Sequence, residues 1–227
     1  MTASPTEQDN PERTNMNLQK RECPISFRFV PYGSGWEDVY LTVNDEEHYF
    51  VVTSVWGDQA NALEEVLLEF HPDYEHYYDP DPRFGIEDDA EIEHGPRLRA
   101  TFAWDGEGHA ATWRLHRTPS TGTAAQVEVE IVEKNDDDDP EYPIRFTVGY
   151  KDLCYAVAKG MTEAMKSHGL YGYFQAVWSH DINLRKLLFL KAFALDAMDI
   201  LKVEDLGRGN GERTDFAKEL ELLLFDM

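Results

Sequence analysis

The chain has 227 residues, of which 42% are hydrophobic and 12% are aromatic, so it holds enough apolar material to pack one domain and too much for disorder throughout. Asp and Glu outnumber Lys and Arg by 44 to 21, which gives a formal net charge of −23. A surface this acidic repels phosphate backbones and anionic lipid head groups, so we expect neither a nucleic-acid partner nor membrane association.

The cysteine content and the distribution of apolar residues indicate the compartment. The two cysteines, Cys23 and Cys154, are far apart in the chain, which favours neither a disulfide framework nor a CxxC motif. The first 24 residues contain no apolar segment behind a basic start, and no apolar run approaches the ~20 residues needed to cross a bilayer. We therefore expect a cytoplasmic protein.

The composition divides the chain into two parts. Residues 1–22 carry almost no large apolar side chains and are rich in Thr, Asn, Gln, Glu and Pro, so they cannot bury enough surface to offset the entropy cost of ordering. We predict a disordered N-terminal tail over 1–22 and a single domain over 23–227.

The first half of this domain reads as strands followed by one helix. Apolar residues alternate around Phe27 and Leu41 and again in 48–54, which predicts a three-stranded meander. Apolar residues then recur at helical spacing, which predicts a helix over 58–70 that ends before Pro72.

Alternation of apolar and polar residues returns after an acidic segment, and a helical spacing of apolar residues follows it. It brings the number of predicted strands to about seven. A helix begins at Tyr150 with Cys154 on its buried stripe, another follows Asp181 as its N-cap, and a last one covers 214–225. This order predicts an α+β fold: an antiparallel sheet of about seven strands, one interposed helix (58–70) and a C-terminal group of about three helices.

Two acidic loops hold a disproportionate share of the excess negative charge. We predict that their carboxylates bind a basic protein partner, because opposite charge speeds the encounter of two proteins. The predicted partner-binding residues are Asp73, Glu75, Asp79, Asp81, Glu87, Asp88, Asp89, Glu91, Glu93, Asp136, Asp137, Asp138 and Asp139.

The first of these loops also offers an alternative chemistry. His71, Asp73, His76 and Asp79 form a sufficient ligand set for a divalent cation, which would suit a metal-dependent hydrolase. Their spacing matches no closed metal motif, and the prolines of this segment exclude one helix that presents both histidines. We therefore predict no metal, cofactor or catalytic residue, and keep the hydrolase as the alternative.

Three short motifs lie within about residues 33–133. They are the Gly35-Trp36-Glu37-Asp38-Val39-Tyr40-Leu41 strand, the Ser54-Val55-Trp56-Gly57-Asp58 helix entry with Leu67-Leu68, and the Phe102-Ala103-Trp104-Asp105 and Trp113-Arg114-Leu115 hairpin. Together these motifs resemble those of small uncharacterised bacterial proteins of immunity-protein type. The resemblance implies a toxin-immunity partner and brings no active-site residues with it.

Charge and resemblance together favour a non-enzymatic interaction protein that neutralises a basic bacterial toxin through acidic loops. Besides the hydrolase, a third reading is an adaptor domain whose acidity selects no specific target and confers only solubility. The sequence does not indicate an oligomeric state.

Overall fold

The computed structural model describes residues 18–53, 59–72, 98–106, 109–120, 124–135, 143–176, 182–202, 204–205 and 212–227. Up to residue 135 the chain contains β1 (Ile25–Gly33), β2 (Trp36–Val43), β3 (Glu46–Thr53), α1 (Gln59–Glu69), β4 (Arg99–Asp105), β5 (His109–Arg117) and β6 (Gln126–Asn135). The second half contains β7 (Ile144–Gly149), α2 (Tyr150–His168), α3 (Leu170–Ala176), α4 (Leu184–Ala194), a 3-10 turn (Met198–Leu201), β8 (Glu204–Asp205), β9 (Glu212–Arg213) and α5 (Phe216–Leu224). The predicted α+β class is confirmed.

The seven predicted strands form two antiparallel sheets, not the single sheet that we expected. Strands β1, β2 and β3 make a three-stranded meander, and β4 to β7 make a four-stranded one. Consecutive strands pair most readily across a short connection, and α1 lies within the long connection between β3 and β4. The predicted three-stranded meander is confirmed; its third strand covers Glu46–Thr53, whereas the prediction was 48–54, and Ser54 lies outside the described residues.

The inner faces of the two sheets share one hydrophobic core. Phe27 and Phe50 of the first sheet contact Trp113 of the second, with ring centroids 6.2 and 6.0 Å apart, and Trp104 lies 4.5 Å from Trp113. All four aromatic side chains are buried. The alternation in the sequence therefore reports the true inward face of each strand.

Helix α2 packs against β1 of the first sheet and carries the predicted apolar stripe. Cys154, Met161 and Met165 are buried on it, as the 3.6-residue period requires. Burial raises the pKa of the Cys154 thiol to about 12, so this cysteine acts as a small apolar side chain and not as a nucleophile.

The C-terminal helices differ from the prediction in two respects. The described part of the chain has four α-helices after β7, because α3 was not expected as a separate element. Asp181 was predicted to cap α4, which is wrong: the N-cap is Asn183, whose backbone is extended and whose side chain accepts a hydrogen bond from the backbone N–H of Lys186. None of the helices in the described ranges is long and apolar enough to span a membrane.

The last residues of the predicted tail contact the domain. Leu18 packs against an apolar cluster that includes Ile200 and Leu222, and Arg21 pairs with Asp152 of α2. The rest of the tail, residues 1–17, lies outside the described residues. The boundary at 22/23 stays a prediction, with five described residues on the tail side of it.

Two lysines hold the C-terminal end of α5 against the domain. The buried ammonium of Lys191 donates to the carbonyl oxygens of Leu223 and Phe225, both at 2.9 Å. Lys166 donates to the carbonyl oxygen of Leu224 at 2.7 Å and pairs with Asp226. Burial and, to a smaller extent, the nearby charge of Lys166 lower the pKa of Lys191 to about 7, against the opposing effect of Asp226.

This pKa predicts a dependence of stability on pH. The folded protein releases the Lys191 proton near pH 7, whereas in the unfolded chain the lysine keeps its proton up to its ordinary pKa of 10.5. Because the unfolded state binds more protons in this window, the contribution of Lys191 to the free energy of unfolding should rise from pH 7 to 10.5. Between pH 7 and 10.5 the urea midpoint of Lys191→Met should rise less, or fall more, with pH than the wild-type midpoint, whereas Lys202→Met, which alters an exposed lysine, should keep the wild-type pH dependence. An unchanged slope in Lys191→Met would contradict this assignment.

Candidate interaction surface

The outer face of the first sheet is aromatic and open to solvent. Alternation along each strand turns Arg28 and Tyr32 of β1, Asp38 and Tyr40 of β2 and Tyr49 of β3 away from the core. Tyr32 is 56% exposed and Tyr49 is 49% exposed. We call this outer face the tyrosine face.

Cross-strand contacts order the side chains of the tyrosine face. Arg28, Tyr40 and Tyr49 lie directly opposite one another in the register of the three strands. The guanidinium carbon of Arg28 is 3.6 Å from the centroid of the Tyr40 ring, and the Tyr40 and Tyr49 rings are 5.1 Å apart. The phenol of Tyr49 donates to the Asp38 carboxylate at 2.9 Å. These contacts hold the rings in place without burying them.

The phenols of Tyr32 and Tyr49 stay protonated and can act as donors at neutral pH. Loss of solvent contact, the hydrogen bond to Asp38 and the charge of Asp38 raise the pKa of Tyr49 to about 12. Partial desolvation and the charge of Asp38 also raise the pKa of Tyr32. Both effects disfavour the phenolate, so each ring keeps an apolar body and a hydrogen-bonding tip.

The outer face of the second sheet has a different chemistry. Glu130 of β6 accepts from Arg114 of β5 at 2.5 Å and from Arg145 of β7 at 2.6 Å, and His116 lies 3.3 Å from Glu128. The two arginines hold the pKa of Glu130 below its usual value. The charged side chains on this face pair with one another, whereas the tyrosine face presents exposed rings to solvent.

Exposed tyrosines with an arginine are typical of protein interfaces. Tyr, Trp and Arg are enriched among the residues whose truncation weakens binding most, because they bury a large area at a small cost in side-chain entropy. The tyrosine face is therefore the candidate interaction surface of the described chain.

Comparison of the chain with protein-family models, with curated proteins and with solved structures found no match. The candidate site therefore depends on geometry and composition alone. The resemblance to immunity proteins stays an expectation.

The sequence-predicted partner-binding carboxylates cannot be compared with this surface. All thirteen, from Asp73 to Glu93 and from Asp136 to Asp139, lie outside the described residues. Their role stays a prediction based on charge.

The alternative metal site is described at only one of its four residues. His71 is buried, and its ring lies edge-on to the rings of Phe189 and Phe193 at 5.0 and 4.6 Å. Asp73, His76 and Asp79 lie outside the described residues. The described residues contain no group of three or more potential metal ligands.

The tyrosine face was not predicted from the sequence, although the alternation along β1 and β2 indicates it. The alternation that assigns Phe27, Phe29 and Leu41 to the core also assigns Arg28 and Tyr40 to the opposite side. Two tyrosines and an arginine at the outward positions of adjacent strands are an unusual solvent face. The pairing of their rings depends on strand register, which the sequence does not state.

Proposed function

We propose that this chain is a non-enzymatic protein that captures a basic protein partner and that works as an immunity-type inhibitor of a toxin. The observation that supports it best is the tyrosine face, a rigid sheet surface with two half-exposed tyrosine rings. A surface of this kind gains affinity by burying its rings against a partner.

The charge of the chain supports a basic partner. A net charge of −23 attracts cationic proteins over several ångströms and repels nucleic acid. We assign this long-range attraction to the two predicted acidic loops, segments 71–96 and 133–141, where carboxylates are dense in the sequence. Residues 73–96 and 136–141 lie outside the described residues, and residues 133–135 belong to β6. Such attraction raises the association rate more than it prolongs the complex.

The two features divide the work of binding. Acidic loops speed the encounter, and the tyrosine face makes the short-range contacts that set the lifetime of the complex. Inhibition then follows by coverage: a partner held on the sheet cannot present the covered surface to its own substrate. No group in this chain needs to perform chemistry on the partner.

The composition favours action inside the cell. The chain has two cysteines, and they are unpaired in the structure. We therefore place the encounter with the toxin in the cytoplasm, where an immunity protein protects the cell that makes it.

The experiment that tests the proposal is capture of a partner from the native cell extract, followed by binding kinetics with the purified partner. Salt should slow association, because the Debye length falls from ~10 Å at 0.1 M to ~3 Å at 1 M. Loss of the exposed tyrosine rings should instead speed dissociation. An association rate that does not change with salt concentration would contradict the proposal. Capture of acidic proteins alone would contradict it as well.

A further inference from the structure

A single carboxylate lies at the centre of the tyrosine face. Asp38 is directly opposite Val30 of β1 and Val51 of β3, and Trp36 and Tyr40 are its neighbours on the same side of β2. It is half-buried among these apolar side chains. A charge in such surroundings interacts more strongly than one in open water.

The described surroundings of Asp38 provide a phenol and no cation. Its hydrogen bond is to the hydroxyl of Tyr49 at 2.9 Å, and no ion pair joins it to a basic side chain in the described part of the chain. Glu130, on the outer face of the second sheet, is held by two arginines. Asp38 therefore keeps acceptor capacity that Glu130 has used.

The same face already binds one guanidinium. Arg28 stacks on Tyr40 at 3.6 Å, and Glu47 lies 3.6 Å from this guanidinium. A ring and a carboxylate thus flank one arginine within this sheet. Tyr32, Tyr49 and Asp38 offer the same combination of aromatic rings and a carboxylate. In the described part of the chain, no arginine of this protein pairs with Asp38.

We infer that Tyr32, Asp38 and Tyr49 form a subsite for the guanidinium of an arginine on the surface of the basic partner. This inference rests on the proposed function and names the chemistry that the tyrosine face recognises. The carboxylate accepts hydrogen bonds from the guanidinium, and the exposed rings contact its planar faces. A planar guanidinium stacks on rings and donates in a fixed fork, so arginine fits better than lysine.

A titration of the full chain with an acetylated hexa-arginine amide tests the subsite. Chemical shifts of the tyrosine ring carbons report binding at the face, apart from any binding by the acidic loops. We expect saturable shifts of Tyr32 and Tyr49 and weaker binding of hexa-lysine. Asp38→Asn should weaken the binding measured at these rings by about tenfold, the size expected for loss of a charge-assisted contact.

The chain offers a matched control for the change of charge. Asp45 is an exposed residue of the β2–β3 turn with φ of 68°, a conformation that asparagine also adopts, so Asp45→Asn removes the same charge without touching the subsite. It should retain nearly the wild-type affinity. Tyr32→Ala, which removes an exposed ring, repeats the test if Asp38→Asn does not fold.

The outcomes separate this inference from the proposed function. Equal losses in Asp38→Asn and Asp45→Asn, equal affinity for the two peptides, or no shift of the face tyrosines would overturn the arginine subsite. Each of these results would be compatible with capture of a basic partner from the extract, and so with the proposed function. Failure to capture any basic partner would instead overturn the proposed function.

Discussion

Replacement of Met161 by alanine should lower the free energy of unfolding by about 2–5 kcal/mol. Met161 is 2% exposed, lies on the face of α2 that packs in the main core, and loses most of its side chain in this change. The lost burial and the cavity left behind outweigh the small gain in helix propensity that alanine brings.

Glu163→Ala provides the control on the same helix. Glu163 is exposed, and its nearest cation, Lys159, is 3.9 Å away, so we expect a change within about 0.5 kcal/mol. Denaturant midpoints at constant slope measure both variants. A loss below about half a kcal/mol for Met161→Ala would place this side chain on the surface and contradict the packing of α2.

Replacement of Gly160 by alanine should destabilise the protein by about 1–3 kcal/mol, although alanine is normally the better helix residue. An added Cβ would lie 2.7 Å from the carbonyl oxygen of Phe27 and 3.0 Å from the ring of Phe29. The close neighbour is backbone of β1, which cannot move without displacing the strand. The steric cost therefore exceeds the gain of about 0.5–1 kcal/mol that alanine brings inside a helix.

Gly172→Ala is the matched control for this change. An added Cβ at Gly172, in α3, meets only the Cβ of His168 at 3.8 Å, which is ordinary contact. We expect this variant to be unchanged or more stable by up to about 1 kcal/mol. If Gly160→Ala also gained stability, the close approach of α2 to β1 would be wrong.

The positions of the strands and of the long helix could be predicted because their signals are local. Alternation at Phe27 and Leu41, and helical spacing from Cys154 to Met165, follow from which side chains face the core. Burial at each of these positions agrees with the period read from the sequence. Local periodicity was therefore sufficient to predict the fold class.

The division into two sheets and the ends of the later helices could not be predicted in this way. Pairing between β3 and β4 depends on a long connection, whose path no periodicity encodes. The N-cap at Asn183 was missed because two capping residue types, Asp181 and Asn183, stand two positions apart. Only the geometry of the turn decides which side chain reaches the free N–H groups.

The candidate site depends on strand register, so the charge distribution alone predicted a different site. Composition pointed to the acidic loops, whereas the described contacts point to Tyr40, Tyr49 and Asp38 on adjacent strands. A shift of one residue in the pairing of β2 with β3 would have placed Tyr49 on the face opposite to that of Asp38 and Tyr40. The sequence shows the residues of the site but not their juxtaposition.

The central claim is that the tyrosine face holds a basic partner, and the dissociation rate of the captured partner tests it most directly. The double variant Tyr32→Ala/Tyr49→Ala should release the partner at least about tenfold faster, with an association rate close to that of the wild-type chain. Tyr171→Ala removes a 77% exposed tyrosine from α3, outside the face, and should leave both rates unchanged. An unchanged dissociation rate in the double variant would contradict the claim.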